Sequence, residues 1–335
     1  MNLNKLVRKL FILMLALPWL ATAAEFKPAV VYDKVGKFDK SFNEAVYRNG
    51  VQKFLKDKGV EVFELEPQFR IHRDKGLKKL ASEGYSPIVT VGFSFAQIVE
   101  ETAKEYPNAN FVIVDAVVNL PNVQSILFAE HEGSFLVGAL AALKTKSDTL
   151  GFVGGMDIPL ISKFGCGFIQ GARYINPNVQ VHQVMTGPTP AAFRNPEKGA
   201  KLAMQQIDQG ADVIFAAAGE TGIGVFTAAK YKGALAIGVD SNQNWMRPGI
   251  ILTSMVKHVG FAAYKAWEQA LEGNWRPGIT VLDLGEGGVD WALDEYNRKL
   301  VSDDMESQIE AIKREIIRGN IRVHNYMENN NCPIS

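Results

Sequence analysis

The feature that most constrains the fold is an alternation of short apolar, β-favouring runs with helical stretches along nearly the whole chain. Such an alternation is typical of α/β proteins, in which helices cover a mostly parallel sheet. The pattern occurs in two successive series without a low-complexity linker, so we predict two α/β halves that touch along a cleft. The strand-like runs lie at residues 29–32, 60–65, 88–91, 111–115 and 123–128, and then at 150–153, 179–185, 213–217, 235–239 and 250–255.

Length and charge narrow the class of protein. The chain has 335 residues, of which 47% are hydrophobic, and can therefore bury a large core. This length suggests about two domains. Lysine plus arginine and aspartate plus glutamate each number 36, and no run of basic residues occurs. Because nucleic-acid binding needs a basic surface, we set nucleic acid aside as a partner.

The N-terminus has the pattern of a secretory signal peptide. Three basic residues precede the apolar run 10–20, and small residues follow at 21–23, which predicts cleavage near Ala23/Ala24. A membrane-spanning helix is the alternative, but the run is shorter than the ~20 residues that a span needs. We expect a soluble protein exported to the periplasm. Since no cysteine lies near the cleavage site, we also expect no lipid anchor.

The chain contains two cysteines, Cys166 and Cys332. In an oxidising compartment they either form a disulfide or remain two isolated thiols. The sequence leaves both alternatives open.

The first strand-to-helix connection brings together three kinds of chemistry. The apolar run 29–32 ends in an acid, and Ser41 with Glu44 has the pattern of a capping box at the start of a helix. Ligands of open α/β sheets bind at the carboxyl ends of the strands. We therefore expect an acid, an aromatic ring and an amide to meet at this point: Asp33, Phe42 and Asn43.

Two further acids, Asp115 and Asp240, also end apolar runs. Each closes a unit of similar length that begins at a glycine after a strand, Gly92 in one half and Gly219 in the other. This repeat predicts one acid facing the cleft from each half, although any two βαβ units share some likeness. Carboxylates there would accept hydrogen bonds from sugar hydroxyls or base N–H groups, whereas the alternative is a solvated turn residue.

Three other positions carry candidate binding groups. Phe193 lies in a polar loop and is either a core plug or a stacking platform that, with Phe42, clamps a flat ring from two sides. Lys257 follows a strand-like run and is either a neutralising charge in the cleft or a surface lysine. The glycine-rich segment 219–224 precedes a helix and suits an anion or another acceptor. Its spacing, GxxGxG, differs from the dinucleotide fingerprint GxGxxG.

Catalytic and metal-binding motifs have little support in the sequence. The five histidines show no paired metal spacing, and neither GxSxG nor HExxH occurs. We therefore predict a binding protein without catalytic residues, metal or cofactor. An exported hydrolase that uses the same acids remains an alternative.

Seven motifs occur in order over most of the predicted mature chain: GKFDKSFNEA (36–45), VIVDAV (112–117), GFVGG (151–155), AAFRNPEKGAKLA (191–203), GETGIGV (219–225), GVDSNQ (238–243) and PGIILTSMVKHV (248–259). Together they resemble the BMP family of substrate-binding proteins of ABC transporters. The resemblance implies two Rossmann-like lobes with parallel sheets joined by three crossings, the type I periplasmic binding protein fold. It places 25–127 and 257–277 in an N-terminal lobe, and 128–256 and 278–335 in a C-terminal lobe, after a signal peptide at 1–24.

The resemblance also implies a function, namely binding of a purine nucleoside by a monomer that hands it to an ABC permease. The alternatives are the exported nucleoside hydrolase and a sensor subunit that engages a membrane receptor. Asn242 stands where the family motif has aspartate. The implied roles are a base sandwich by Phe42 and Phe193, reading of the base edge by Asn43 and Asp115, and a ribose site formed by Asp33, Gly219, Asp240 and Lys257.

Overall fold

A computed structural model of the chain describes residues 26–33, 36–67 and 69–333. The predicted signal peptide lies outside the described residues. Within them, no helix has the length and apolar character that a membrane crossing requires.

The described chain forms two six-stranded sheets, which confirms the predicted two-lobed α/β class. In the first sheet the strand order is β11-β5-β4-β3-β1-β2, and all of these strands pair in parallel. Its strands are β1 Ala29–Val31, β2 Phe63–Leu65, β3 Ile88–Thr90, β4 Phe111–Val114, β5 Val123–Phe128 and β11 Gly278–Leu282. Their residues are largely β-branched and aromatic, as suits strands covered on both faces.

The second sheet repeats this arrangement, with the order β12-β10-β9-β8-β6-β7. Its last strand, β12, pairs antiparallel with β10, and the other strands are parallel. The strands are β6 Thr149–Met156, β7 Gln180–Gly187, β8 Val213–Ala217, β9 Leu235–Asp240, β10 Ile251–Lys257 and β12 Val289–Trp291.

Helices cover both sheets. The first helical region has a π-helical segment, Tyr47–Gln52, between α1 and α2. The helices are α1 Phe42–Val46, α2 Lys53–Lys58, α3 Arg70–Ser82, α4 Ala96–Glu105, α5 Glu130–Lys144, α6 Pro159–Ile175, α7 Pro196–Asp208, α8 Gly222–Lys232, α9 Val259–Leu271 and α10 Asp303–Ile317.

The chain passes between the lobes after β5, after β10 and after β11. Helix α9 returns to the first lobe, where Tyr264 and Trp267 pack on Phe54 with ring centroids 5.4 and 5.7 Å away. The predicted lobe boundary at residue 277 is corrected by the pairing of β11 with β5 of the first sheet. The third crossing therefore follows Leu282. The sequence analysis assigned no strand to this run, which is only five residues long.

The C-terminal tail is tied to the second lobe. Cys166 in α6 forms a disulfide with Cys332, which settles the alternative that the sequence left open. Beside it, the Gln170 side chain donates to the His324 carbonyl at 3.0 Å and accepts from the His324 N–H at 2.8 Å. The tail therefore lies against α6.

The predicted capping box at the start of α1 is wrong. The Ser41 side chain does not cap the helix. Instead the Asp39 carboxylate accepts from the backbone N–H groups of Ser41, Asn43 and Glu44 at 2.9 to 3.0 Å. A carboxylate offers more acceptor positions than a hydroxyl, so it can satisfy three donors at once. The Ser41 hydroxyl is consequently available for another contact.

Candidate ligand-binding site

A cavity of about 370 Å³ lies between the two lobes at the carboxyl ends of strands from both sheets. This is the position expected for ligands of parallel α/β sheets. Every predicted site residue except one lines it: Asp33, Phe42, Asp115, Phe193, Gly219, Asp240 and Lys257.

The exception is Asn43, which does not line the cavity. It is fully buried, and its side-chain amide donates to Asp33 Oδ1 at 2.8 Å and to the Gly36 carbonyl at 3.1 Å. Asn43 lies one position further along α1 than Phe42, and the turn of the helix directs it inward. The amide is therefore placed to orient Asp33.

The acids of the two halves have matching backbone geometry. Asp115 has a φ of 67° and Asp240 a φ of 63°, both in the left-handed region that aspartate adopts more readily than most residues. The glycines that open the two units, Gly92 and Gly219, also have positive φ, at 111° and 57°. The repeat predicted from the sequence is thus present in the backbone of both lobes.

Aromatic rings reach the cavity from both lobes. Phe42 comes from the first turn of α1, and Phe193 ends a 3₁₀ turn, Pro190–Phe193, in the second lobe. The Phe193 ring packs against β6 where Gly155 leaves room, because a Cβ at this position would lie 2.2 Å from Phe193 Cε1. Phe164 of α6 also lines the cavity. The sequence analysis missed it, since an aromatic on an apolar helix face has the pattern of a core residue.

Lys257 lies at the centre of a buried charge cluster. Its Nζ contacts both carboxylate oxygens of Asp115, at 2.6 and 2.7 Å, and Glu130 Oε1 at 2.7 Å. Glu130 also forms an ion pair with Lys163. All four side chains are at most 6% exposed. We call Asp115, Glu130, Lys163 and Lys257 the charge cluster.

Burial and mutual attraction set the ionisation of the charge cluster. Burial by itself would raise the pKa of Glu130, but Lys163 and Lys257 outweigh it and lower this pKa to about 2. Burial would lower the pKa of Lys257, but its carboxylate neighbours raise it above the ordinary value. Burial raises the pKa of Asp115, and the charge of Lys257 opposes this rise. Opposite charges at such distances favour the ionised forms of both partners.

Two other acids of the cavity have raised pKa values. Burial raises the pKa of Asp240 to about 6, against the opposing effects of Lys257 and of the Ser41 hydroxyl. Burial also raises the pKa of Asp39 to about 7, although three backbone N–H donors favour its ionised form. Asp240 therefore titrates closer to neutrality than an ordinary carboxyl group.

The lobes touch along a seam beside the cavity. Ser41 Oγ donates to Asp240 Oδ2 at 2.5 Å, and Ser241 Oγ donates to the Ser41 carbonyl at 2.7 Å. Gln243 Nε2 donates to the Lys40 carbonyl at 2.8 Å. These contacts join the start of α1 in the first lobe to the end of β9 in the second. The two lobes are thus in direct contact beside the cavity.

Asn242 takes no part in this seam. Its side chain is exposed, and its Nδ2 donates to Asp294 Oδ2 at 2.6 Å. An aspartate here would place two carboxylates side by side, so asparagine suits the local partner.

Polar residues of the first lobe extend the cavity beyond the predicted set. Arg73 Nη1 donates to Ser94 Oγ at 3.1 Å, and its Nε donates to Asp74 Oδ1 at 3.1 Å. The guanidinium lies 4.7 Å from the centre of the Phe95 ring. Arg73, Ser94 and Gln97 line the cavity. They were missed because they lie on a helix, a 3₁₀ turn and a helix that resemble ordinary surface elements in sequence.

Among the described residues no group of histidine, cysteine or acidic side chains has the arrangement of a metal site.

Comparison with known proteins shows which family this chain belongs to. A family model, Bmp, described as ABC transporter substrate-binding protein PnrA-like, matches residues 27–326. This chain belongs to the Bmp family. Bmp proteins are substrate-binding components of ABC transporters, which implies a small-molecule ligand and a permease in the membrane.

Individual relatives and structures agree with Bmp membership. An uncharacterized lipoprotein of Pyrococcus furiosus is 36% identical over 281 residues, which cover 80% of this chain and 70% of that protein. A Lactococcus lactis protein named as an ABC transporter nucleoside-binding protein is 29% identical over 323 residues, 89% of each chain. The crystal structure of an ABC transporter solute-binding protein from Aeropyrum pernix has a TM-score of 0.81 at 30% identity, and the match covers 91% of this chain and 95% of that one.

The prediction of a protein without a lipid anchor is wrong. Bmp-family relatives from three Pyrococcus species, 35 to 36% identical to this chain, are named lipoproteins. Lipoproteins are held at the membrane by acyl chains. The prediction depended only on the lack of a cysteine near the predicted cleavage site, which was too narrow a basis. An extracellular or periplasmic placement fits these Bmp relatives.

Proposed function

We propose that this protein binds a nucleoside with a purine base between its two lobes after export and delivers it to an ABC permease. The observation that supports this most is the composition of the cavity wall, in which aromatic rings and carboxylates come from both lobes. A nucleoside combines a flat base with a polyhydroxylated sugar, so it needs both kinds of surface.

The aromatic part of the cavity suits the base. Phe42 from the first lobe and Phe193 from the second would stack on its two faces, and Phe164 adds a further apolar surface. Stacking of a base on an aromatic side chain contributes roughly 1–3 kcal/mol. Because one ring belongs to each lobe, a stacked base also favours lobe closure.

The polar part suits the base edge and the sugar. An ionised carboxylate accepts hydrogen bonds only, so Asp115 would accept from base N–H groups, and Asp33 and Asp240 from ribose hydroxyls. Lys257 provides donors beside them, and Gly219 brings backbone close to the sugar. Asn43 holds Asp33 in place from behind.

Isothermal titration of ligand-stripped protein tests this function. The panel is adenosine, guanosine, inosine, cytidine, uridine, free bases and ribose. We expect binding of purine nucleosides and no response to ribose. Silence across the whole panel would overturn the nucleoside assignment. Recovery of intact nucleoside after prolonged incubation would distinguish binding from hydrolysis.

The stacking role is tested by Phe42→Ala. Loss of one stacking face should weaken nucleoside binding tenfold or more, on the order of 1.4 kcal/mol. The matched control is Phe38→Ala, because Phe38 is an aromatic residue of the same segment that is 57% exposed and does not line the cavity. If both variants bind like the wild type, the two-ring sandwich is wrong.

A further inference from the structure

Two members of the charge cluster, Glu130 and Lys163, do not line the cavity. Their side chains are nevertheless almost fully buried, at 0% and 6% exposure. Burial of a charge is costly unless the group is paired. The contacts of these two residues therefore indicate what their burial achieves.

Both residues contact a cavity residue or the chain beside a crossing between the lobes. Glu130 opens α5 just after the first crossing and lies 2.7 Å from the Nζ of Lys257, which ends β10 at the second crossing. Lys163 pairs with Glu130 and also donates to the Phe128 carbonyl at 3.0 Å, at the end of β5. Asp115, at the end of β4 in the first lobe, completes the set through Lys257.

The charge cluster is electrically balanced, with two carboxylates and two ammonium groups. Lys257 lies between Asp115 and Glu130, so each carboxylate limits how far Lys257 can move toward the other. Lys257 already contacts both oxygens of Asp115, and its contact with Glu130 fixes the direction from which the ammonium group approaches them. Without Lys163, two carboxylates would share a single ammonium group.

We propose that Glu130 and Lys163 are positioning residues for ligand binding, which hold Lys257 so that each oxygen of Asp115 keeps an acceptor position for the ligand in the cleft between the lobes. The inference rests on the proposed function, because it assigns these residues a role toward the nucleoside. It extends the binding machinery from the cavity wall to the crossings between the lobes.

The first test measures affinity for inosine, guanosine and adenosine by isothermal titration. Glu130→Gln removes one charge at nearly constant volume and should weaken binding about tenfold or more, as removal of one partner of a buried charge pair does. The matched control is Glu132→Gln, in the same turn of α5, since glutamine can still accept from the Leu284 N–H. This control should bind within about twofold of the wild type.

The decisive variant is the double substitution Glu130→Gln with Lys163→Met, which restores the charge balance. If Glu130 acts by positioning Lys257, nucleoside affinity should stay low in the double variant even where its melting temperature recovers, because Lys257 still lacks the Glu130 carboxylate. If the role of the pair is only structural, affinity should recover together with the melting temperature. Recovered affinity in the double variant, or wild-type affinity in Glu130→Gln, would overturn the inference.

A pH series adds a readout that a structural role would not change. In Lys163→Met the remaining carboxylates bind a proton more readily, so affinity should fall at a higher pH than in the wild type. The ionisable groups that face the cluster are His131 on α5 and Asp240 on β9. Burial and the charge of Lys163 lower the pKa of His131 to about 4, so the His131 ring stays neutral at pH values well above 4. An unshifted profile would contradict the proposal.

Failure of the inference is distinguishable from failure of the proposed function. If the wild type binds no nucleoside of the panel, the proposed function fails. Thermal unfolding of the two single variants and the double variant then still tests the pairing without ligand. Recovery of the melting temperature in the double variant supports coupling between Glu130 and Lys163, and purely additive losses overturn it.

Discussion

Removal of the Ser41 hydroxyl should weaken ligand binding although this residue is not a predicted ligand contact. Ser41 Oγ donates to Asp240 Oδ2 at 2.5 Å across the seam, and both side chains are at least 90% buried. A hydrogen bond to a charged group contributes about 1.5–3 kcal/mol. Ser41→Ala should destabilise only the closed arrangement of the lobes. When the lobes separate, water takes the place of the hydroxyl at Asp240, so the open arrangement loses nothing.

The size of the affinity loss in Ser41→Ala follows from the coupling of lobe closure to ligand binding. If the ligand-free protein is mostly open, a closed state destabilised by about 1.5–3 kcal/mol weakens the apparent affinity by about 10- to 150-fold. Isothermal titration with a purine nucleoside measures this directly. Ser241→Ala removes a bond to a neutral carbonyl and should cost less, about 0.5–1.5 kcal/mol.

A third variant controls for the loss of a hydroxyl. Thr227→Val removes an exposed hydroxyl that donates to the Ile223 carbonyl within α8, away from the seam. It should bind like the wild type. Equal affinities of Ser41→Ala and Thr227→Val would refute the assignment of the seam as part of closure.

Three further predictions concern charge and covalent structure. Burial raises the pKa of Asp240 from the ordinary 3.8 to about 6, so between these pH values the folded state binds more protons than the unfolded state. As the pH falls through 6, the contribution of Asp240 to stability should therefore grow, while nucleoside affinity declines. Asp240→Asn should remove both trends, as measured by unfolding and by titration at a series of pH values. Asn242→Asp should lower stability by up to about 1 kcal/mol through repulsion from Asp294, measured by urea unfolding at low and high salt. Cys332→Ser opens the loop closed by Cys166 and should cost about 2–5 kcal/mol in unfolding while nucleoside affinity stays unchanged.

The residues that sequence reasoning located share a clear signal. Asp33, Asp115 and Asp240 end apolar runs, and the sheet topology brings the ends of parallel strands to one edge. Phe42 and Phe193 were recognised because each follows a turn-like segment next to a helix start. Local pattern and topology were therefore sufficient for these three carboxylates and for two of the aromatic rings of the cavity wall.

The residues that sequence reasoning missed depend on long-range contacts. Glu130 and Lys163 are 33 residues apart in sequence, and nothing local predicts that one ammonium group meets both Glu130 and Asp115. Asp39 replaced Ser41 as the cap because only the folded turn decides which acceptor reaches the first N–H groups. Such choices follow from three-dimensional proximity, which periodicity does not encode.

The order of the strands has a consequence for how the protein is made. The first lobe begins at β1 but lacks α9 and β11 until residue 282 has been synthesised. Until α9 has been synthesised, Phe54 has neither Tyr264 nor Trp267 to cover it. A chain that is synthesised from its N-terminus therefore cannot complete its first lobe early. Nearly the entire polypeptide must be present before either lobe has all of its strands and helices. Such late completion keeps the growing chain from folding early, which suits the export that we propose for this protein.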